Sequence, residues 1–261
     1  GQWNSRLGHP SSAARTRSRR TPMTAKDLAR NAYRKITAPV GSLQRIGETP
    51  GEFVLSYDDG PDPRYTPEIL EVLDRFNAPA TFFVLLSKVR ENPGLLHEVV
   101  AAGHEIGLHG LDHQRLTLFT PREVTSRTAA GKAELEDQLG SAVRWMRPPY
   151  GAQTFGTWRA IRRAGLEPVM WSGTFWDWKD MPHEKRVAKA VSAASPGVIV
   201  LAHDSFPGPN DGVIAAVEPQ VERGRLAHDV LSAYADRGLS ARSVSAALSG
   251  GQERKWAWFS R

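Results

Sequence analysis

Two adjacent carboxylates, Asp58 and Asp59, stand where the apolar run "FVLSY" gives way to "DDGP". Neighbouring side chains of a strand point to opposite faces, so both aspartates serve one site only where the strand has ended, and Gly60-Pro61 supplies a turn there. Carboxylates this close do not both ionise cheaply without a cation or hydrogen bonds to compensate. Alone, the pattern describes a solvated Asp-Asp-Gly-Pro turn at least as well as a site. His109 and His113 in "HGLDH" alter that balance. Two imidazoles four residues apart lie on one side of a helical turn or compact loop and suit one divalent ion, although isolated His-x-x-x-His pairs also occur without one. Together with one aspartate they form the three-ligand set that leaves zinc or cobalt an open position for water. One aspartate would then hold the ion while its neighbour takes a proton from water.

Hydrolysis also needs an acid for the leaving group, and His203 ends the apolar run "GVIVLAH". A structural histidine would look the same. A carboxylate such as Asp177 close to it would raise its pKa and favour a catalytic role. Arg147 is placed to orient the proton-accepting aspartate, unless it is merely a surface ion pair.

These residues must be brought together by the elements that carry them. From residue 52 onward, short β-branched and aromatic runs alternate with helical segments. The strands are expected at "EFVLSY", "ATFFVLL", "HEIGLH", "AVRWMR", "EPVMW", "GVIVLAH" and "LSARS". Helices between them carry their own signals: Thr66-Pro67 as a cap, Gly103 as a stop, and a Thr120/Glu123 capping box opening a long helix that ends at Gly140. Further helices are expected near 154–164, 183–194 and 221–237. About seven β/α units imply a parallel sheet with helices outside, either open and doubly wound or closed into a barrel. In both, ligands bind beyond the carboxyl ends of the strands, and Asp58, Asp59, His109, His113, Arg147 through Tyr150, Asp177 and His203 all follow strand ends.

Composition narrows the function classes. The chain has 261 residues, 40% of them apolar, enough for one substantial core. The formal charge of +6 rests largely on Arg6, Arg15, Arg17, Arg19 and Arg20, in a stretch of 22 residues without an acid; without those five the balance is +1. Residues 1–22 therefore read as a basic, disordered leader, and Met23 as a biological start. No basic stripe with interleaved aromatics follows, so nucleic acid is not an expected partner. Cysteine is absent, which excludes disulfides, thiolate catalysis and cysteine-ligated zinc. No stretch approaches the ~20 apolar residues of a membrane span, and no apolar secretory core is visible in the leader. The reading is cytoplasmic as the sequence stands, secreted if a signal has been removed, and monomeric.

At this point the sequence resembles the polysaccharide deacetylase family, carbohydrate esterase family 4, over roughly residues 52 to 245. Five ordered motifs carry the resemblance: "SYDDGP" for the usual Thr-Phe-Asp-Asp-Gly-Pro, "HGLDH" for His-Ser/Thr-x-x-His, "RPPYG", "DW" at 177–178 and "LAH" at 201–203. It implies an α/β fold, a distorted and incomplete (β/α) barrel with about seven parallel strands, and a metal-dependent hydrolase that removes acetyl groups from sugars. It further implies Asp58 as general base, Asp59, His109 and His113 as metal ligands, His203 as general acid tuned by Asp177, and Arg147 as the holder of Asp58. Under the same resemblance the Tyr150 backbone N–H stabilises the oxyanion, while Trp178 and Leu201 line an acetyl pocket. The ion would be divalent, zinc first, with cobalt or nickel as substitutes. Two departures stand out. Gly110 replaces the hydroxyl residue that follows the first histidine, which removes a side chain that could order the loop. "SGTFWDW" carries Thr174 where relatives often have another aspartate, and its Phe175 and Trp176 leave substrate choice open.

The segments follow as a leader (1–22), an N-terminal extension (23–51), the catalytic domain (52–248) and a C-terminal tail (249–261). That tail, with Trp256, Trp258 and Phe259 beside basic residues, could meet a membrane surface but is expected to pack on the barrel. Expected substrates are chitin oligomers, peptidoglycan or a related acetylated glycan. A second enzymatic reading is an intracellular, non-polymeric glycoconjugate or amide reached through the aromatic loop at Trp176. A non-enzymatic reading is an idle carbohydrate-binding protein on the same fold.

Overall fold

The computed structural model describes residues 24–260 apart from Glu48, Ala215 and Ala216; the arginine-rich leader lies outside the described residues. The strands are β1 (Ser42–Gly47), β2 (Glu52–Asp58), β3 (Thr81–Leu85), β4 (Glu105–Gly110), β5 (Trp145–Met146), β6 (Glu167–Pro168), β7 (Gly173–Thr174), β8 (Ile199–His203), β9 (Ser240–Arg242) and β10 (Gln252–Trp256). Seven of them form one parallel path in the order β6-β5-β4-β3-β2-β8-β7, with β9 paired to the start of β2. This is the distorted, incomplete (β/α) barrel: a curled sheet with helices around it and no pairing between its terminal strands β6 and β7.

β2 is an interior strand, lying between β3 and β8 and buried on both faces as helix-covered parallel sheets require. Phe53, Leu55 and Tyr57 enter the larger core beneath the outer helices, whereas Val54 joins Phe83, Trp145, Val169 and Ile199 inside the curl. By the same alternation Ser56 and Asp58 continue the inner face toward the carboxyl edge, so the lining passes from apolar to polar along one strand. Asp58 stands in register with His203 of β8 and with Phe83 of β3.

The flanks are not separate bodies. β1 and β10 pair antiparallel, and Leu43 and Ile46 of β1 belong to the inner core. β1 also reaches the barrel directly: the Met170 N–H donates to the Leu43 carbonyl at 2.7 Å, and the Ile46 N–H to the Gly197 carbonyl at 2.9 Å. This explains one departure from the sequence-based expectation. The strand expected at 167–171 is shortened to β6, and the separate strand β7 starts beyond it at Gly173, because Met170 bonds to β1 while Ser172 donates to Ile199 on the far side.

Thr66 is a second departure. Its hydroxyl does not cap the Thr66–Arg75 helix. Asp62 closes the turn ahead of the helix, accepting from the Arg64 and Tyr65 N–H groups at 2.8 and 3.2 Å, while the Thr66 hydroxyl donates to buried Asp204 at 2.7 Å. The Thr120/Glu123 capping box forms as expected on the Pro121–Leu139 helix, which ends at Gly140 in the left-handed region.

Candidate metal centre and active site

β2 ends at Asp58, and Asp59 turns the chain with φ 79°. The two neighbouring carboxylates therefore leave the strand in different directions and acquire different partners. Asp58 Oδ1 accepts from Arg147 Nη1 at 2.7 Å. Arg147 is 0% exposed, and its guanidinium also donates to Ser56 Oγ and to the Val169 and Met170 carbonyls. Phe83 lies against its face, 4.3 Å from the guanidinium carbon to the ring centre. This is no surface ion pair. The guanidinium holds Asp58 in one orientation from inside the barrel.

Asp59 meets the histidines instead. Its Oδ1 lies 3.2 Å from both His109 Nε2 and His113 Nε2, and the three side chains are buried. His109 is positioned by an irregularity in β4, where Val84 pairs with Leu108 but Leu85 with Gly110. The extra residue is His109 itself, and such a bulge re-aims a side chain next to a site. Its Nδ1 donates to the Arg147 carbonyl at 2.7 Å, which leaves Nε2 as the bare nitrogen facing Asp59. Asp59 Oδ1 and His109 Nε2 both lack a hydrogen-bond partner despite complete burial. Buried polar atoms are nearly always satisfied, and a cation between these donors would satisfy both. One donor atom from each of Asp59, His109 and His113 lies within 4.8 Å of the others.

Charge states suit that role. Burial pushes the His113 pKa down to about 4, leaving a neutral imidazole. Burial opposes ionisation of Asp59, but His113, His109 and His203 outweigh it and hold this carboxyl well below the usual range. An anionic carboxylate and neutral imidazoles are what a divalent ion requires of its ligands.

The "HGLDH" loop is ordered without a hydroxyl at position 110. Gly110 has φ 153°, and a Cβ there would come within 2.7 Å of the Asp112 carbonyl oxygen. Asp112 ties the loop instead, accepting from Arg127 Nη2 at 2.8 and 2.7 Å and from the Gln114 N–H at 3.1 Å.

Opposite the cluster, His203 Nδ1 donates to Asp177 Oδ1 at 2.8 Å, and the other carboxylate oxygen accepts the His203 backbone N–H at 2.7 Å. Burial disfavours the charged ring, yet Asp177 overrides it and raises the His203 pKa to about 9. Its Nε2 faces the cluster, 4.0 Å from Asp59 Oδ2. Trp178 packs edge-on against the ring at 5.2 Å between centres. A cavity of about 470 Å³ opens between these groups, with Tyr150, Trp171, Trp178, Leu201 and Phe206 in its walls. Tyr150 sits at φ 60°, its ring tilted against His113 with 4.2 Å between centres.

Asp58, Asp59, His109, His113, Arg147, Asp177, His203, Tyr150, Trp178 and Leu201 are thus brought to one edge. Trp176 is not. The aromatic loop at 175–178 divides: Phe175 is buried in the outer core, and the Trp176 ring lies outside the cavity, with Lys179 Nζ at 3.9 Å and Lys189 Nζ at 4.3 Å from its centre. Three contributors were missed in the sequence. Ser56, two residues before Asp58 on the same face, was visible in the period of the strand. Asp204 directly follows His203; burial raises its pKa to about 7, with Asp59 adding to the effect, and a Cβ on Gly60 would fall on its carboxylate. Arg223 pairs with Asp177 at 3.3 Å and donates to the His203 carbonyl at 3.0 Å; nothing local in "VERGRL" announces it.

Fold and site together define an α/β half-barrel protein with an Asp-His-His triad that could hold a cation at the carboxyl ends of its strands, flanked by an arginine-held carboxylate and a carboxylate-held histidine. Comparison with known proteins agrees. The family model described as polysaccharide deacetylase matches residues 47–169. The chitooligosaccharide deacetylase of Bradyrhizobium sp. (strain ANU 289) is 37% identical over 154 residues, covering 59% of this chain and 70% of that one. The peptidoglycan-N-acetylglucosamine deacetylase PgdA of Listeria monocytogenes serotype 1/2a (strain 10403S) is 38% identical over 157 residues, 60% of this chain but only 33% of that relative's length. The structure of the peptidoglycan deacetylase PdaC from Bacillus subtilis superimposes with a TM-score of 0.65 at 26% identity, covering 77% of this chain and 91% of that one. The chain belongs to the polysaccharide deacetylase family, carbohydrate esterase family 4, whose members are metal-dependent in general.

Proposed function

We propose that this protein hydrolyses the acetamide of an N-acetylated glycan, a chitin oligomer, peptidoglycan or a related chain, releasing acetate and a free amine. The observation that carries the reading is the separation of the two neighbouring aspartates: Asp58 is held by Arg147, and Asp59 faces two histidines across unsatisfied donor atoms. Asp59, His109 and His113 would hold the divalent ion. When bound, that ion would polarise the acetyl carbonyl and acidify water. Zinc suits a two-histidine, one-carboxylate set with an open position, and cobalt or nickel accepts the same donors.

Asp58 is the base in this scheme. Arg147 occupies its Oδ1, which leaves Oδ2 to take the proton as water attacks the carbonyl carbon. The Tyr150 backbone N–H, presented by the left-handed turn, would donate to the oxyanion of the tetrahedral intermediate. His203, charged at neutral pH with Nδ1 tied to Asp177, presents Nε2 to the leaving nitrogen. Proton transfer from Nε2 accompanies C–N cleavage, so the amine departs neutral. Leu201 and Trp178 would wall the pocket for the acetyl methyl.

The test is acetate release from a short N-acetylglucosamine oligomer by protein stripped with a chelator and then resupplied with zinc or cobalt, with bound metal measured alongside. Release restored by metal, and metal lost together with activity in His113→Ala, is the expected result. Undiminished release from fully stripped protein, or full metal content in His113→Ala, would overturn the assignment.

A further inference from the structure

The helix Ala25–Thr37 contains no buried residue, although its side chains are sharply divided. With 3.6 residues per turn, Leu28, Ala29, Ala32, Tyr33 and Ile36 fall on one side. An amphipathic helix on a globular body normally turns that side inward. Here, of that side, only Leu28 and Ala32 border a cleft against β1 and β10, while Tyr33 and Ile36 lie outside it. The helix's polar side meets β10: Arg34 lies over the Trp256 ring at 4.3 Å, and the Thr37 hydroxyl accepts the Ala257 N–H at 3.0 Å. Ile36 is 78% exposed, Leu28 55% and Tyr33 51%.

Charge shows what such a face would meet. Lys26, Arg30 and Lys35 are exposed on the same helix. Its single acid, Asp27, is engaged by the Thr24 capping box and lies 3.6 Å from Arg30. The sequence just upstream adds five arginines and no acid. We infer that this helix lies on an anionic lipid surface, with Ile36 and Tyr33 entering the boundary between headgroups and acyl chains, and Lys26, Arg30 and Lys35 meeting lipid phosphates. Basic residues beside an apolar helix face are the pattern of interfacial helices, in which buried apolar area and attraction to anionic lipid add. A second copy of the chain is the poorer occupant, since a two-fold contact would bring the same cations against each other. The glycan site is at a different place in the fold, so this inference does not depend on the reaction proposed above.

The experiment is co-sedimentation of the full chain with phosphatidylcholine vesicles, with and without phosphatidylglycerol, for the wild type, for Tyr33→Glu/Ile36→Glu, and for a chain lacking residues 1–22. Both substituted positions are exposed, and circular dichroism checks that the fold is kept. The wild type should partition onto anionic vesicles only, and added salt should weaken it. The double variant should lose at least about tenfold in partitioning while acetate release from a soluble oligomer is unchanged. The shortened chain should bind more weakly but measurably. Absence of wild-type binding to anionic vesicles would overturn the inference. Equal binding by the double variant, or complete loss on removing residues 1–22, would also overturn it by assigning the attraction to charge alone. A wild-type dimer that the double variant converts to monomer, without lipid binding, would give the face to a second copy.

Discussion

In the proposed reaction Asp58 takes a proton, and its surroundings suit that role. It is buried, held by a buried arginine, and set beside a neighbour whose donor atoms face the histidines. Asp58→Asn preserves the shape and the Arg147 contact but not the basicity. Turnover should fall about 10²- to 10⁴-fold, the usual worth of a positioned acid or base, while zinc content stays at the wild-type level. A parallel loss of metal would place Asp58 among the ligands instead. His203 carries a pH signature. Its folded pKa, raised to about 9 by Asp177 against the effect of burial, lies above the ordinary value of about 6.5. The stabilisation from the His203–Asp177 pair is therefore fully present below about pH 6.5 and is lost as pH rises through about 9. In chelator-treated protein, the difference in thermal midpoint between wild type and Asp177→Asn should be largest at the acid end of that window and narrow towards pH 9. A difference independent of pH would mean that Asp177 acts through packing and its Arg223 contact, not through the charge on His203.

The end of β4 and the loop after it show how an element positions the two histidines. Read from its sequence, "HGLDH" lacks an ordering hydroxyl; folded, it uses a bulge at His109, a backbone at Gly110 that L side chains rarely adopt, and a carboxylate clamp from Asp112 to Arg127. Restoring the family's usual serine should therefore harm the site. Gly110→Ser is expected to cost about 1–3 kcal/mol through backbone strain and to lower zinc affinity, read by a chelator competition titration. A tighter site in the variant would show that the loop rearranges freely around position 110. Strand β2 was legible because buried strands of parallel sheets read as continuous apolar runs, and the capping box at Thr120 was legible because both partners lie within three residues. Thr66 was misread because its hydroxyl has a stronger claim on buried Asp204, 138 residues away in the chain. The shortening of the strand expected at 167–171, and the separate strand at Gly173–Thr174, were equally hidden, since they depend on which distant carbonyl each N–H finds.

Across the whole molecule, the terminal flanks support the cavity. Gln153 is fully buried; its side chain donates to Ser42 Oγ and to the Trp258 carbonyl, each at 2.9 Å, and its backbone exchanges bonds with Ser260. The Trp258 indole donates to the Gly151 carbonyl at 3.0 Å and packs against Trp171 in the cavity wall. Ending the chain at Gly250 removes β10 and these partners together. Each buried group left unsatisfied should cost about 1–3 kcal/mol, so the truncated protein should melt earlier and lose acetate release as the Tyr150–Gly151 turn loosens. Unchanged melting and activity would show that the C-terminal segment is an accessory to the barrel.

What the sequence determined by itself was the chemistry and its order along the chain: paired acids, two histidines four residues apart, an arginine, a second acid–base pair, each following a strand. Those features are local, written in residue types and short spacings. Family resemblance named Asp59 as the aspartate beside the histidines, but spacing alone left the choice open; the structure gives its physical basis, β2 ending at Asp58 and Asp59 turning out of the strand. Tertiary structure alone placed Trp176 outside the cavity and left Tyr33 and Ile36 of the Ala25–Thr37 helix exposed. It recruited Arg223 and Asp204, residues without a local signal, by folding distant segments against β2 and β8. Contacts of this kind depend on the curl of the sheet, which is settled by packing along the whole chain and by no single stretch of it.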